Sequence, residues 1–486
     1  MTSRVDMHCH STASQLSRLG VQRSLGLPEC ATPPQEVYEL AKRRGMDFVT
    51  ITDHDTIDGC LELAGRPDCF VSEELTARFA GEPQAVHVLC YGITPGDHEW
   101  LQANAGDVEA CAAYLHENEI ACALAHPFFD VGAPLSGRHR HRLAELFPVW
   151  EVRNGSRAAE LNMPAAAYAE THGGTGIGGS DDHAGVDIGR TFTETPAAAT
   201  PEELLRHIRQ GRTVPGGEQG SAAKWAHAAM ALATRALACD GGDAEAGSAD
   251  PTAVLKIAQR VVAEGTARHG KVATDLGPRD GRALLEAWLA SIGVEERGRD
   301  LLARLQSDSF SHADLYRLAR RSHEQRLRAA VERGAMAAPA GDGAAPPGLM
   351  EALTPALPYV PATAVLGRER AKLARSCEAP PRVALIADGA DADDQAAAVE
   401  RIRGGAPGVE VELVGTDARA DRRLPATTTV PAPVSGGARL GVPSLLDLVE
   451  ALAERRYDLL HVVAPSPTAV AAALLSRISG TPLLAA

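Results

Sequence analysis

Over roughly the first 220 residues of this 486-residue chain, short apolar runs alternate with stretches of helical periodicity. Period-two or continuous apolar runs predict strands at Arg4–His8, Asp47–Thr52, Cys69–Ser72, Ala85–Tyr91, Ile120–Ala125, Val149–Asn154 and Thr175–Gly179. Helices are predicted at Pro34–Arg44, Gly106–Glu117, Ala158–His172 and Pro201–Gln210, the last with Thr200 as N-cap and Pro201 at its first position. Strands alternating with helices imply a parallel sheet or barrel. In such folds the chemistry gathers at the C-terminal ends of the strands.

The pattern then changes twice. From about 221 the periodicity is helical only: Ala222–Cys239, Pro251–Glu264, Arg279–Ser291, Arg297–Leu305, His312–Gly334 and Thr363–Ser376, with a Pro, Gly and Ala-rich flexible linker at 337–348. No chemistry is visible in this stretch, which reads as a helical spacer. Beyond it, strands at Arg382–Ala387, Val409–Val414, Leu459–Val463 and Thr481–Leu484 alternate with helices at Gln395–Arg403, Ser444–Glu454 and Thr468–Ile478. That alternation reads as part of a Rossmann-like lobe. The expected organisation is therefore 1–220, an α/β barrel; 221–378, helical; and 379–486, a partial doubly wound lobe.

Composition narrows the classes. A formal net charge of −15 disfavours non-specific binding to a long nucleic acid or an anionic membrane. No apolar run reaches the roughly 18 to 20 residues of a membrane span. The polar N-terminus enters its first strand directly, which argues against a signal peptide. Nine scattered cysteines form no C-x-x-C pair and suggest free thiols in a reducing cytoplasm.

The candidate chemistry lies where the strands end. Val5-Asp6-Met7-His8-Cys9-His10 closes the first strand on a His-x-His pair, and side chains two apart on a strand point the same way. Thr52-Asp53-His54-Asp55, Ala125-His126-Pro127 and Gly179-Ser180-Asp181-Asp182-His183 answer it at later strand ends, and His87 lies within VHVLCYG. Asp181 and His183 share a face while Asp182 points away. Asp6 reads as a strand cap or as a partner that fixes a histidine tautomer, and Asp53 as an orienting or catalytic group. A carboxylate from Ser72-Glu73-Glu74 could bridge two cations, and Glu151 and Asn154 could line the site. Arg153, Arg157, Arg138 and Arg78 are candidates for gripping phosphate oxygens. His139 and His141 fall in a charged GRHRHR stretch that reads as a solvated loop or a lid.

In that order, the opening D-x-H-x-H-S-T, the TDHDT segment, E-L-T, VH, AHP and G-S-D-x-H resemble the PHP (polymerase and histidinol phosphatase) family over the first 220 or so residues. The resemblance implies a distorted (β/α)7 TIM-like barrel, a di- or trinuclear centre of Mn, Zn or Fe, and phosphoesterase chemistry. Carried over residue by residue, the metal ligands would be His8, His10, His54, Glu74, His87, His126, Asp181 and His183. Glu74 is chosen over Glu73 because Leu75-Thr76 follow it as they follow the family's ligand. Many members carry an Asp after H-S-T-x-S; here Gln15 stands in its place. A neutral amide is a poorer cation ligand, so the third site, with His54 and His183, is expected to be weak or empty. An insertion at Leu16–Pro28 is expected to reshape the mouth. The last hundred residues are similar to the start of a GT-B family 4 glycosyltransferase acceptor lobe, whose donor-binding half has no counterpart in this sequence.

The function expected from these residues is metal-dependent hydrolysis of a small phosphorylated substrate, a phosphomonoester or a nucleotide, in the cytoplasm. A water activated by two or three divalent ions would act as nucleophile, Asp53 and Arg153 would serve catalysis, and Arg157 and Asn154 would hold substrate. The alternative is a truncated family 4 glycosyltransferase with a regulatory or silent barrel. Nothing in the sequence decides the oligomeric state.

Overall fold

The structure is a computed structural model that describes residues 2–14, 28–238, 278–333, 347–376, 379–432, 439–479 and 481–485. Gln15, almost all of the Leu16–Pro28 insertion, the helix expected at Pro251–Glu264 and most of the 337–348 linker lie outside the described residues. The rest falls into two compact units. One holds the described residues up to Ala236 together with Leu302–Gln306, and the other holds those that follow.

The first unit runs β1 (Thr2–Val5), β2 (Ser72–Arg78), β3 (Ala85–Tyr91), β4 (Ala121–Leu124), β5 (Val149–Asn154), β6 (Thr175–Gly179), β7 (Thr191–Pro196) and β8 (Val214–Gly217). Strands β2 to β6 form one sheet in that order, and β1, β7 and β8 form another. Isolated parallel bridges pair Val5 with Phe48, Val49 with Cys69, His54 with Glu74, and Cys9 with Asp182. Segment 48–54 thus lies between the first strand's continuation and the run entering β2, while that continuation also meets the end of β6. This is a mixed α/β arrangement. The uniformly parallel sheet suggested by the alternation is not what forms: β2 with β3 and β3 with β4 are antiparallel, and only β4, β5 and β6 are parallel. For β2 with β3 the reason is connection length, since residues 79–84 are too few for the dozen or more that a parallel crossover requires.

Strand β3 is buried on both faces, and its period of two separates two apolar layers. Val86, Val88 and Cys90 pack outward with Leu75, Cys122, Leu124 and Trp150 against Leu101, Cys111, Leu115 and Leu143 of the surrounding helices. Leu89 and Tyr91 face inward with Val5, Met7, Ala121, Ala123, Val149 and Ile177. The helix Pro201–Arg209 closes this inner layer with Leu204, Leu205 and Ile208, at the i, i+1 and i+4 positions of one face. Thr200 caps it by accepting from the Glu203 N–H at 3.3 Å. Each of these three side chains contributes on the order of 1.5–3 kcal/mol by burial. His87 shares the inner face of β3 with Leu89 and Tyr91.

The helix Ala222–Ala238, expected to open the helical spacer, lies in the first unit as far as Ala236. Trp225 Nε1 donates to the Ser156 carbonyl at 2.8 Å, Arg235 pairs with Glu36, and buried Lys224 lies 3.5 Å from both Asp187 and Glu218.

The second unit carries the helices Pro278–Ser291, His312–Glu332 and Tyr359–Ser376 together with a parallel five-stranded sheet. Its strands are β9 (Arg382–Ile386), β10 (Glu410–Gly415), β11 (Arg422–Arg423), β14 (Leu459–Val462) and β15 (Leu483–Ala485); β12 (Ala426–Pro431) and β13 (Arg439–Pro443) pair separately as a hairpin. Among the described residues no helix is long and apolar enough to cross a membrane.

Candidate metal centre

Glu74 is the hub of a buried cluster. One of its oxygens, Oε1, lies 2.6 Å from His87 Nδ1 and 3.0 Å from His126 Nε2. The other, Oε2, lies 3.0 Å from His54 Nδ1, 3.2 Å from His8 Nε2 and 3.4 Å from His10 Nε2. Asp181 Oδ1 joins them at 3.6 Å from His8 Nε2 and 3.5 Å from His10 Nε2, and His183 Nδ1 lies 3.6 Å from the same oxygen. The eight side chains expected as ligands are thus brought together from six segments of the chain. Glu73 faces the opposite way and binds His98 and Gln102 at 2.9 and 2.8 Å.

His87 lies within its strand, as expected, and not at a strand end. It is the third residue of β3, opposite Thr76 of β2. Because β3 runs antiparallel to its neighbour, its beginning arrives where other strands finish. Gly179 is equally a matter of position: a Cβ there would stand 2.3 Å from His8 Cβ, so only glycine lets the two backbones come this close.

The donors fit divalent cations. His54 Nδ1 and Glu74 Oε2, 3.0 Å apart, are buried without a hydrogen bond, as are His87 Nδ1, which lies 2.6 Å from Glu74 Oε1, and His10 Nδ1 and His126 Nδ1. Four triads of these groups each hold their ligand atoms within 4.8 Å, two of them sharing Glu74. Imidazole mixed with carboxylate suits Zn, Mn or Fe. Protonation states follow the same crowding. Burial opposes charge on His8, yet Glu74, Glu151 and Asp181 outweigh it and hold its pKa well above the usual value. Burial and the neighbouring His183 push His10 well below. Burial also opposes charge on His54, but Glu74 and Glu29 lift it to about 9. Glu74 and Asp181 resist the effect of burial through their cationic neighbours and stay well below the ordinary carboxylate range.

A surrounding set of groups holds the cluster in place. Glu151 Oε1 lies 3.0 Å from His8 Nδ1, and its Oε2 accepts from the His126 N–H and Asn154 Nδ2, both at 2.9 Å. Asp6 accepts from the N–H groups of His8, Ser180 and Gly189, which ties the first strand to β6 and the turn beyond it. Burial lifts Asp6 to about 6. Asp182 accepts from four successive N–H groups, Ala184 to Asp187, and so shapes the loop after β6. Asp55, His126 and Asp181 all sit at positive φ, of 52°, 25° and 50°. His126 does so directly before Pro127, where extended backbone is favoured, so strain is concentrated around the ligands.

Four expectations change. Arg153 does not reach the cluster: its Nη1 donates to the Gly217 carbonyl at 2.8 Å. The pairing of β5 with β6 slips between Glu151 and Arg153, so Glu151 and Asn154, three apart, turn inward together and simple alternation fails. Asn154, expected to hold substrate, is fully buried, with its amide engaged by Glu151, by Asp181 at 3.1 Å and by the N–H groups of Ser156 and Arg157. Asp53, expected as an orienting or catalytic group, accepts from the N–H and the hydroxyl of Ser11, both at 2.6 Å, and so fixes the turn after His10. GRHRHR is helical, within Gly137–Leu146, where buried His139 caps the helix through Ser136 and binds Glu82.

Arg157 does reach the cluster. Its Nη2 lies 3.3 Å from Asp181 Oδ2 and its guanidinium packs 3.8 Å from the Phe129 ring centre. A cavity of about 280 Å³ opens beside His54 and His87, lined also by Asp55, Thr76 and Arg78. One buried acid was not singled out from the sequence: Glu29 Oε1 lies 3.3 Å from His54 Nε2. It stands between Pro28 and Cys30 in a stretch without periodicity or motif, and only its proximity to the histidines in space gives it away.

A family model described as "PHP-associated" matches residues 159–213, a stretch that includes Asp181 and His183. An uncharacterized protein of Methanocaldococcus jannaschii is 34% identical over 59 residues, or 12% of this chain; the chain spans about a third (33%) of the length of that curated relative. Among solved structures, the chain is similar to PsfC from Pseudomonas syringae at 18% identity and a TM-score of 0.34, covering 44% of this chain and 91% of that one. It is similar to an amidohydrolase from Chromobacterium violaceum, solved with bound sulfate and no metal, at 16% identity and a TM-score of 0.32, covering 43% and 97%. A protein described as a metal-dependent phosphoesterase from Bifidobacterium adolescentis is 16% identical with a TM-score of 0.29, covering 43% and 96%.

Proposed function

We propose that the first unit is a metal-dependent phosphoesterase acting on a small phosphorylated molecule. One observation carries this reading: the two oxygens of Glu74 face different sets of imidazoles, His87 and His126 on one side, His8, His10 and His54 on the other. A carboxylate so placed is suited to bridging two cations at short separation. Such ions, when bound, supply a water deprotonated near neutral pH and positive charge for phosphoryl oxygens.

The chain's own residues do the rest. Glu151 keeps the His8 ring oriented toward the cluster, and Asn154 keeps Asp181 in place. Arg157, flattened on Phe129 and anchored at Asp181, presents a planar cation suited to phosphate oxygens, with Arg78 lining the cavity. Each of these guanidinium groups favours an anionic substrate over a neutral amide. A cavity of about 280 Å³ suits a small molecule better than a polymer.

The test is turnover by protein reloaded with Mn or Zn, assayed on parallel panels of phosphomonoesters, nucleotides and amides, with bound metal counted in the same samples. Two or more ions and hydrolysis of a phosphoester are expected, lost in both His8→Ala and Asp181→Ala. Retained turnover in both variants, or turnover of amides alone, would overturn the proposal.

A further inference from the structure

The family resemblance places a carboxylate at position 15 in the third cation site, where this chain has Gln15. Three histidines are nonetheless gathered at that end. Ligand atoms of His10, His54 and His183 lie within 4.8 Å of one another, and buried His10 Nδ1 has no hydrogen-bond partner. Neutral imidazoles bring no charge to offset the desolvation of a buried divalent cation, so a carboxylate beside them would strengthen the site.

Glu29 meets them. Its side chain is fully buried, and a single oxygen, Oε1, stands 3.3 Å from His54 Nε2 and 3.9 Å from His183 Nε2. Hydrogen bonding does not explain both approaches. His183 directs Nδ1 at the Asp181 carbonyl at 3.0 Å, where it must donate, so a neutral ring has a lone pair at Nε2 facing a carboxylate oxygen. A proton on Nε2 would not close a hydrogen bond at 3.9 Å either. Nitrogen and oxygen ligands of one ion, each about 2.0–2.2 Å from it, stand about 3–3.5 Å apart. The His54 distance falls in that range and the His183 distance lies just beyond it. His54 links the two groups, with Nδ1 toward Glu74 and Nε2 toward Glu29.

We infer that Glu29 is a metal ligand, supplying with His54 and His183 the carboxylate of a third divalent-cation site that the resemblance assigns to position 15. This rests on the metal-centre reading above. The third site is then complete without Gln15, and the full chain takes three ions.

The experiment is titration of stripped, full-length protein with Mn(II) and Co(II), with ions counted by mass spectrometry after desalting, affinities measured by calorimetry, and Co(II) absorption recorded per equivalent. Wild type should take three ions and Glu29→Gln two, with the weakest dissociation constant raised at least about tenfold and the third equivalent's Co(II) bands lost. Glu74→Gln should weaken the two tighter ions instead. Equal numbers and affinities in wild type and Glu29→Gln, whether two ions or three, would overturn the inference. Fewer than two ions in wild type, with Glu74→Gln unchanged, would overturn the metal-centre reading itself and Glu29 with it. Should Glu29→Gln fail to fold, Glu29→Asp decides: it must weaken the third ion alone, and an unchanged third affinity refutes the assignment.

Discussion

Nδ1 of His8 lies 3.0 Å from Oε1 of Glu151, and this contact decides which nitrogen of His8 is left for the cluster. With its proton on Nδ1, the ring turns the Nε2 lone pair toward Glu74 and Asp181. Glu151→Gln keeps the shape but weakens the acceptor and offers an amide donor that can fix the wrong tautomer. Metal affinity should fall roughly 10- to 100-fold, measured by competition with a chromophoric chelator. An affinity within twofold of wild type would mean that the ring is held by packing alone.

Glu74 is asked to serve two ions at once. Glu74→Ala should therefore reduce the bound metal by more than one equivalent, whereas His126→Ala should reduce it by one at most. Metal counting on the two variants side by side checks this. Equal losses would show that Glu74 does not bridge.

Removing metal should destabilise the first unit, because buried lone pairs that converge on one another lose their counter-charge. Each site at a free ion concentration 1,000-fold above its dissociation constant adds about 4 kcal/mol to the folded state. Chelator should lower the melting temperature of wild type by several degrees and that of His8→Ala by much less. Identical shifts would remove the link between the cluster and stability.

Arg157 and Arg153, four residues apart, should separate cleanly. Arg157→Ala is expected to raise KM for a phosphoester by at least about tenfold with metal content unchanged, since it loses a bidentate phosphate contact. Arg153→Ala should leave kcat/KM near wild type, because that guanidinium is spent on Gly217. The reverse result would mean that the bulge in β5 is misplaced.

Burial lifts Asp53 to about 6 from its ordinary 3.8. A raised acid binds its proton more tightly in the folded chain, so its stabilising contribution is complete below pH 3.8 and gone above about 6. Stripped wild type should lose up to roughly 3 kcal/mol across that window relative to Asp53→Asn, which has no proton to release. Melting temperatures of both proteins from pH 4 to 7 measure the difference. Parallel curves would show that Asp53 is not desolvated in solution.

Residue type and local periodicity made much of the centre legible from the chain alone. His8 and His10 meet on one side as a repeat of two residues anticipates, whereas Asp181 and His183 lie beyond the end of β6, with Asp181 at a φ of 50°, so the turn and not strand alternation brings them together. The boundaries of β3, β5 and β6 follow equally from apolar runs bounded by turn residues. Strand direction, register and long-range meeting were decided only by the tertiary structure. A six-residue connection turns β3 around and brings its beginning, with His87, to the ligands. A one-residue slip in β5 removes Arg153 and turns Asn154 inward to hold Asp181. Glu29 has no motif at all, and it becomes a candidate ligand only because folding places its oxygen 3.3 Å from His54. A strand's period is a local property of the backbone, whereas convergence of segments far apart in sequence depends on packing and pairing across the whole unit, which no local pattern encodes.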